Sequence, residues 1–127
     1  MQRLIVAALA GVLFALPAHA DGDAAKGENV FKKCRACHDI GEGAKNKVGP
    51  ELNDVIGRTA GSLESFNYSP AMKTAGEEGL VWDDETIEQY LRDPRGFVPK
   101  NKMAFAGLKK DDEVADVIAY LHQFAAE

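Results

Sequence analysis

The 127-residue chain has little of what nucleic-acid-binding proteins depend on. It holds two cysteines and one tryptophan, and its 15 Lys and Arg are outnumbered by 20 Asp and Glu, for a net charge of −5. That balance excludes the broad basic footprint a phosphate backbone requires. No segment repeats, none is of low complexity, and none alternates apolar with polar residues as a half-buried strand would. No apolar run reaches the roughly 20 residues that cross a bilayer. The longest, Leu4 to Leu16, follows Arg3 and precedes Pro17 and Ala18-His19-Ala20. A charged start, an apolar stretch and an A-x-A site read as a secretory signal, residues 1–20, cut before Asp21. The remainder, 21–127, is sized for one small domain with no second stretch for a membrane. A domain this small often leans on a metal or cofactor for part of its core.

What is present reads as short helices between Gly- and Pro-rich loops. Residues 23–33 suit a first helix, with Ala24, Gly27 and Phe31 along one face. Residues 41–61 are punctuated by glycine and read as irregular. Ser69-Pro70 suits a cap followed by proline in the first turn, with Gly76 as the stop. Asp83 is placed to cap a helix bearing Ile87, Tyr90 and Leu91 that ends before Pro94. Residues 94–108 read as a loop. From Asp111 or Asp112 onward, Val114, Val117, Ile118, Leu121 and Phe124 recur at helical spacing and predict an amphipathic last helix. The domain reads as all-α.

The chemistry concentrates in Cys34-Arg35-Ala36-Cys37-His38, a C-x-x-C-H run that reads as c-type haem attachment. Cysteines about one helical turn apart point to one side, where each can bond a haem vinyl group as a thioether. The adjacent His38 is then held within reach of the iron. Three other uses of the pair are weaker. A disulfide or a thioredoxin-like dithiol needs no following histidine, and the dithiol expects a βαβ pattern that is missing. A structural zinc site takes four ligands, and residues 21–127 offer only Cys34, Cys37, His38 and His122 as cysteine or histidine donors.

Iron bound by one histidine keeps a second axial position. His122 lies in the last predicted helix beside its apolar face and reads as a surface residue. Met72 falls among small residues in a short predicted helix, where packing accounts for it. Met103 follows Pro99-Lys100-Asn101-Lys102 in a loop, which can project a thioether without the constraint of helical spacing. By position alone Met103 is the better candidate.

The chain resembles a class I c-type cytochrome, near the bacterial cytochrome c2 and mitochondrial cytochrome c group. Besides Cys34 to His38 the resemblance rests on Val48-Gly49-Pro50, Ile56-Gly57-Arg58, Phe66-Asn67-Tyr68 and Gly79-Leu80-Val81-Trp82. It continues through Tyr90-Leu91, Lys102 to Gly107 and Asp116 to Leu121, in family order over nearly all of 21–127. It implies short helices and loops around one haem, with the N- and C-terminal helices crossing at Gly27, Phe31 and Tyr120. It implies His38 and Met103 as axial ligands and the Pro50 carbonyl as acceptor for the other ring N–H of His38. Arg58, Tyr68 and Trp82 would bind a buried propionate, with Asn101 standing where the family often has threonine. Tyr90 would lie beside the Met103 sulfur. The Tyr68–Trp82 interval is slightly longer than in mitochondrial forms.

The function implied is a periplasmic, monomeric one-electron carrier between a bc1-type complex and a terminal oxidase or photosynthetic reaction centre. Lys32, Lys33, Lys100 and Lys102 would ring the exposed haem edge and meet acidic partner surfaces.

Overall fold

The computed structural model describes Gly11 and residues 22–126, so the signal-peptide reading of residues 1–20 falls, but for Gly11, outside the described residues. Five helices follow one another: α1 (Ala24–Phe31), α2 (Pro70–Glu77), α3 (Asp84–Arg92), α4 (Pro94–Phe97) and α5 (Asp111–His122). Among the described residues the extended backbone pairs only at an isolated antiparallel bridge, Thr59 to Val81. No described helix is long and apolar enough to cross a membrane.

The caps explain where the helices begin. The Asp23 carboxylate accepts from the Lys26 amide, and the Ser69 hydroxyl accepts from Met72, with Pro70 in the first turn. Asp83 and Thr86 form a reciprocal capping box at α3. Several boundaries differ from the sequence reading; α1 ends at Phe31 rather than at 33, and α5 ends at His122, short of Phe124. Gly76 does not stop α2; the helix runs to Glu77 with Glu78 as its cap, and Gly79 follows at φ 104°. Gly76 instead lies inside the helix with its backbone against the Ala60 carbonyl. The stretch 94–108 is not all loop either. Asp93, the last cap of α3, accepts from the Gly96 amide and starts the single turn of α4 at Pro94. A four-residue turn is too short to show a helical period, so only its cap betrays it.

The tightest packing lies where α1 crosses α5. A Cβ on Gly27 would sit 1.9 Å from the Asp116 carbonyl oxygen, so the helices approach this closely only because residue 27 has no side chain. Phe31 then meets Tyr120 at 5.3 Å between ring centroids, and Tyr120 meets Phe124 at 5.1 Å. Val114, Val117, Ile118 and Leu121 fill the same face. Polar contacts close its rim. The Asp23 amide donates to the Asp116 carboxylate at 2.8 Å, and Lys33 pairs with Glu113 at 3.2 Å. The crossing implied by the resemblance is the one observed.

The end of α3 is held by the chain that returns to α5. The Leu108 amide donates to the Leu91 carbonyl at 2.7 Å, and Lys109 Nζ donates to the Arg92 carbonyl at 2.9 Å. Arg92 in turn pairs with Glu88 and, at 2.8 Å, with Asp111 at the start of α5. These bonds answer for carbonyls that a helix C-terminus leaves open. They also fix both ends of the segment carrying Met103.

Candidate functional site

The C-x-x-C-H run winds on directly from α1. The Cys34 amide donates to the Phe31 carbonyl at 2.8 Å, and the Cys37 and His38 amides donate to the Cys34 carbonyl at 3.1 and 2.9 Å. The two cysteines are half-buried and their sulfurs are not bonded to one another. Burial pushes the Cys34 thiol up to about 11. A thiol held protonated at neutral pH is a poor nucleophile, which weighs against a redox-active dithiol.

His38 is oriented by the backbone of the 47–50 loop. Its Nδ1 lies 2.7 Å from the Pro50 carbonyl oxygen. A carbonyl only accepts, so Nδ1 carries the proton and Nε2 keeps a free lone pair. Burial, with a smaller contribution from the Arg58 charge, lowers the pKa of the imidazole despite the opposing bond to Pro50. A neutral ring with Nε2 unprotonated is the form that binds a metal. The loop is packed against the ring face: a Cβ on Gly49 would come within 2.5 Å of His38 Cε1. The Gly49 amide is tied back to the Cys37 carbonyl at 2.8 Å. Pro50 was expected from the sequence; the close approach of Gly49 was not, although Val48-Gly49-Pro50 contained it.

Arg58 lies next along the chain from this loop. It donates to the carbonyl oxygens of Glu51 (3.0 Å) and Asn53, and pairs with the Glu51 carboxylate at 3.4 Å. The side chain is only 10% exposed, so this guanidinium is largely withdrawn from solvent. Its backbone pairs with that of Trp82, whose amide donates to the Arg58 carbonyl at 2.9 Å. Trp82 is buried against Tyr90, 4.9 Å between centroids, with Phe97 at 6.4 Å. Tyr68 accepts from the Leu63 amide at 3.3 Å and meets Phe66 edge-on at 4.9 Å, which leaves its hydroxyl hydrogen available.

Tyr90 connects this aromatic group to Met103. Its hydroxyl lies 3.7 Å from the Met103 sulfur, within hydrogen-bonding range for sulfur. Burial pushes the phenol up to about 12, so it remains a donor throughout the ordinary pH range. Met103 itself is half-buried, as are Cys34, Leu52, Leu91 and Phe105, all packed against the core.

Asn101 sits differently from the sequence expectation. Its amide nitrogen donates to the Pro94 and Val98 carbonyls, each at 2.9 Å, and its carbonyl accepts from the Met103 amide at 2.7 Å. Both amide hydrogens are used inside the loop, and neither is left for a propionate. The remaining candidates for a ligand behave as the plain reading has them. His122 is exposed and pairs with Asp84 on α3 at 2.6 Å. Met72 is a half-buried part of the core.

The residues present suit a covalent haem. The half-buried apolar side chains supply contact surface for a large flat ring, the cysteines supply two thiols, and His38 and Met103 supply one neutral nitrogen and one soft sulfur. Cys34, Cys37, His38 and Met103 would hold the group, and when bound it supplies one-electron redox chemistry at iron.

Comparison with known proteins agrees. The Cytochrome c family profile matches residues 24–125. The chain is 58% identical to cytochrome c2 of Afifella marina over 100 residues, 79% of this chain and 81% of that protein. It is also 58% identical to cytochrome c2 of Agrobacterium tumefaciens over 101 residues, 80% of this chain and 91% of that one. The solved structure of cytochrome c2 from Rhodospirillum centenum superposes with a TM-score of 0.79 at 48% identity, covering 83% of this chain and all of that one. The motif, the oriented imidazole, the all-helical fold and these likenesses converge, and the chain belongs to the cytochrome c family, electron carriers with covalently bound haem c.

Proposed function

We propose that this protein is a periplasmic shuttle in which Cys34 and Cys37 bind the haem as thioethers while His38 and Met103 ligate its iron. The observation that carries the reading is the His38–Pro50 bond, which leaves Nε2 unprotonated in the residue that directly follows Cys37. Met103 supplies a weakly donating thioether, a ligand that favours the reduced metal, and Tyr90 steadies its sulfur. With His38 and Met103 both holding the iron, oxygen or peroxide would find no open site there, and electron transfer would be favoured over catalysis. Arg58 and the Tyr68 hydroxyl would be the donors for a buried propionate, with Trp82 paired to Arg58 through the backbone.

Residues 1–20 would direct export and be removed, leaving 21–127 as one domain. Electrons would arrive from a bc1-type complex and leave to a terminal oxidase or photosynthetic reaction centre. Lys32 and Lys100 stand exposed, while Lys33 is shared with Glu113 and Lys102 lies over Phe66 while donating to the Asn67 carbonyl. Of the four, only Lys33 has its charge paired with a carboxylate among the described residues, so the steering charge of the docking face falls most on Lys32, Lys100 and Lys102.

The test uses protein exported from a haem-attaching host. Intact mass should show loss of residues 1–20 and gain of one haem, and no thiol should titrate after unfolding. Two titratable thiols and a haem-free mass would contradict the reading. Reversing Lys32 and Lys100 to Glu should slow oxidation by an acidic partner at low salt and lose that effect at high salt, where surface charges are screened.

A further inference from the structure

We propose that Asn101 is a positioning residue for the Met103 sulfur, acting as a three-point clamp within the loop rather than as a donor to the haem. The proposal rests on Met103 being an iron ligand.

The loop between α4 and α5 has no regular structure around Met103, so something else must hold a side chain that cannot wander. The Asn101 amide supplies it. One side-chain group reaches Pro94, which opens α4, Val98, which caps it, and Met103 two residues ahead. The bond from the Met103 amide to the Asn101 carbonyl is the i to i+2 turn that asparagine side chains form with their own backbone. The Asn101 backbone amide adds a fourth bond, to Val98 at 3.2 Å, and the Phe105 amide closes on the Met103 carbonyl at 2.9 Å. Immediately before the clamp, Lys100 takes φ 66°, a left-handed conformation that side chains other than glycine or asparagine seldom adopt. That turn brings residue 101 back toward α4, and the three side-chain bonds keep it there. Met103 is thereby fixed at its amide, at its carbonyl and, through Tyr90, at its sulfur.

Only an amide satisfies all three points. Aspartate keeps an acceptor for the Met103 amide but presents an unpaired oxygen to two carbonyls. Serine keeps one acceptor and cannot span to both Pro94 and Val98. Threonine has the same shortfall.

The clamp acts on the sulfur, so its loss should free the iron before it unfolds the domain. In the ferric haem-loaded protein, Asn101→Ser and Asn101→Asp should weaken the Met–iron charge-transfer band and lower the reduction potential. They should raise the affinity for added imidazole about tenfold, the effect of losing one to two net hydrogen bonds. Asn101→Asp should be the worse of the two. In a Met103→Ala background the same substitutions should leave imidazole affinity unchanged, because the position is already open. A role confined to general stability would act alike in both backgrounds. Parent-like band, potential and imidazole affinity (within about twofold) in both single variants would overturn the proposal, as would equal effects in the two backgrounds. If Met103→Ala itself leaves the band intact, the ligand assignment fails instead, and the two failures are told apart.

Discussion

The α1–α5 crossing and the Met103 side of the molecule are built on opposite principles. At the crossing, protein packs on protein: Phe31 is 1% exposed, Val114 1% and Val117 2%. In the segment carrying Met103, Phe97, Met103 and Phe105 reach the core only in part, and the bonds made by Asn101 and Tyr90 help hold the chain in place. Half-buried apolar side chains in so small a domain suit contact with a large flat ring, which a covalent haem would supply. The first region therefore carries the stability of the polypeptide, and the second carries the tuning of the metal.

Substitutions at the crossing should break that division most visibly. Phe31→Ala removes a buried ring at the heart of the contact and should cost about 4 kcal/mol in denaturant unfolding. Below its new midpoint it should leave the Met–iron band and potential as they were. Gly27→Ala places a methyl where the Asp116 carbonyl stands and should cost about 2 kcal/mol, again without moving the band. A ligation change as large as the stability change in either variant would show that the two regions are not separable.

The pattern reverses at the metal side. Tyr90→Phe removes the hydroxyl beside the sulfur but keeps the ring against Trp82, so stability should change by under about 1 kcal/mol. The reduction potential should nonetheless move, which is the converse of Phe31→Ala. The smallest effect concerns the α3 cap. The Thr86 amide holds the Asp83 carboxyl below the usual carboxylate range. Its contribution is thus present above the unfolded carboxylate pKa and lost as pH falls through the depressed folded value. Asp83→Asn, still able to cap, should flatten the acid limb of the stability curve while the midpoint at neutral pH stays near the parent.

The same division sets what was legible in the sequence. Helices with a repeating apolar face or a side-chain cap announced themselves, as at Asp83 and along Val114 to Leu121. The single turn at Pro94 has neither length nor period, and Gly76 looked like a stop because a glycine in contact with Ala60 looks no different from one ending a helix. Within the site, the C-x-x-C-H run carries its chemistry at fixed spacing and needs no fold to be read. Arg58, Trp82 and Tyr90 come together only through tertiary contacts, which composition and spacing do not reveal. The resemblance, not the spacing, pointed to them. Asn101 shows the limit of the resemblance itself: matching a threonine position suggested a bond to haem, whereas the longer asparagine amide turns back onto its own loop.

The central claim, that His38 and Met103 close both faces of one covalent haem, is met most directly by absorption spectra of the exported protein, oxidised and then reduced. The account predicts sharp c-type bands on reduction and a weak charge-transfer band at the red end when oxidised, lost in Met103→Ala. Covalent haem with no such band in the parent would leave the attachment standing and contradict the closed, electron-carrying site.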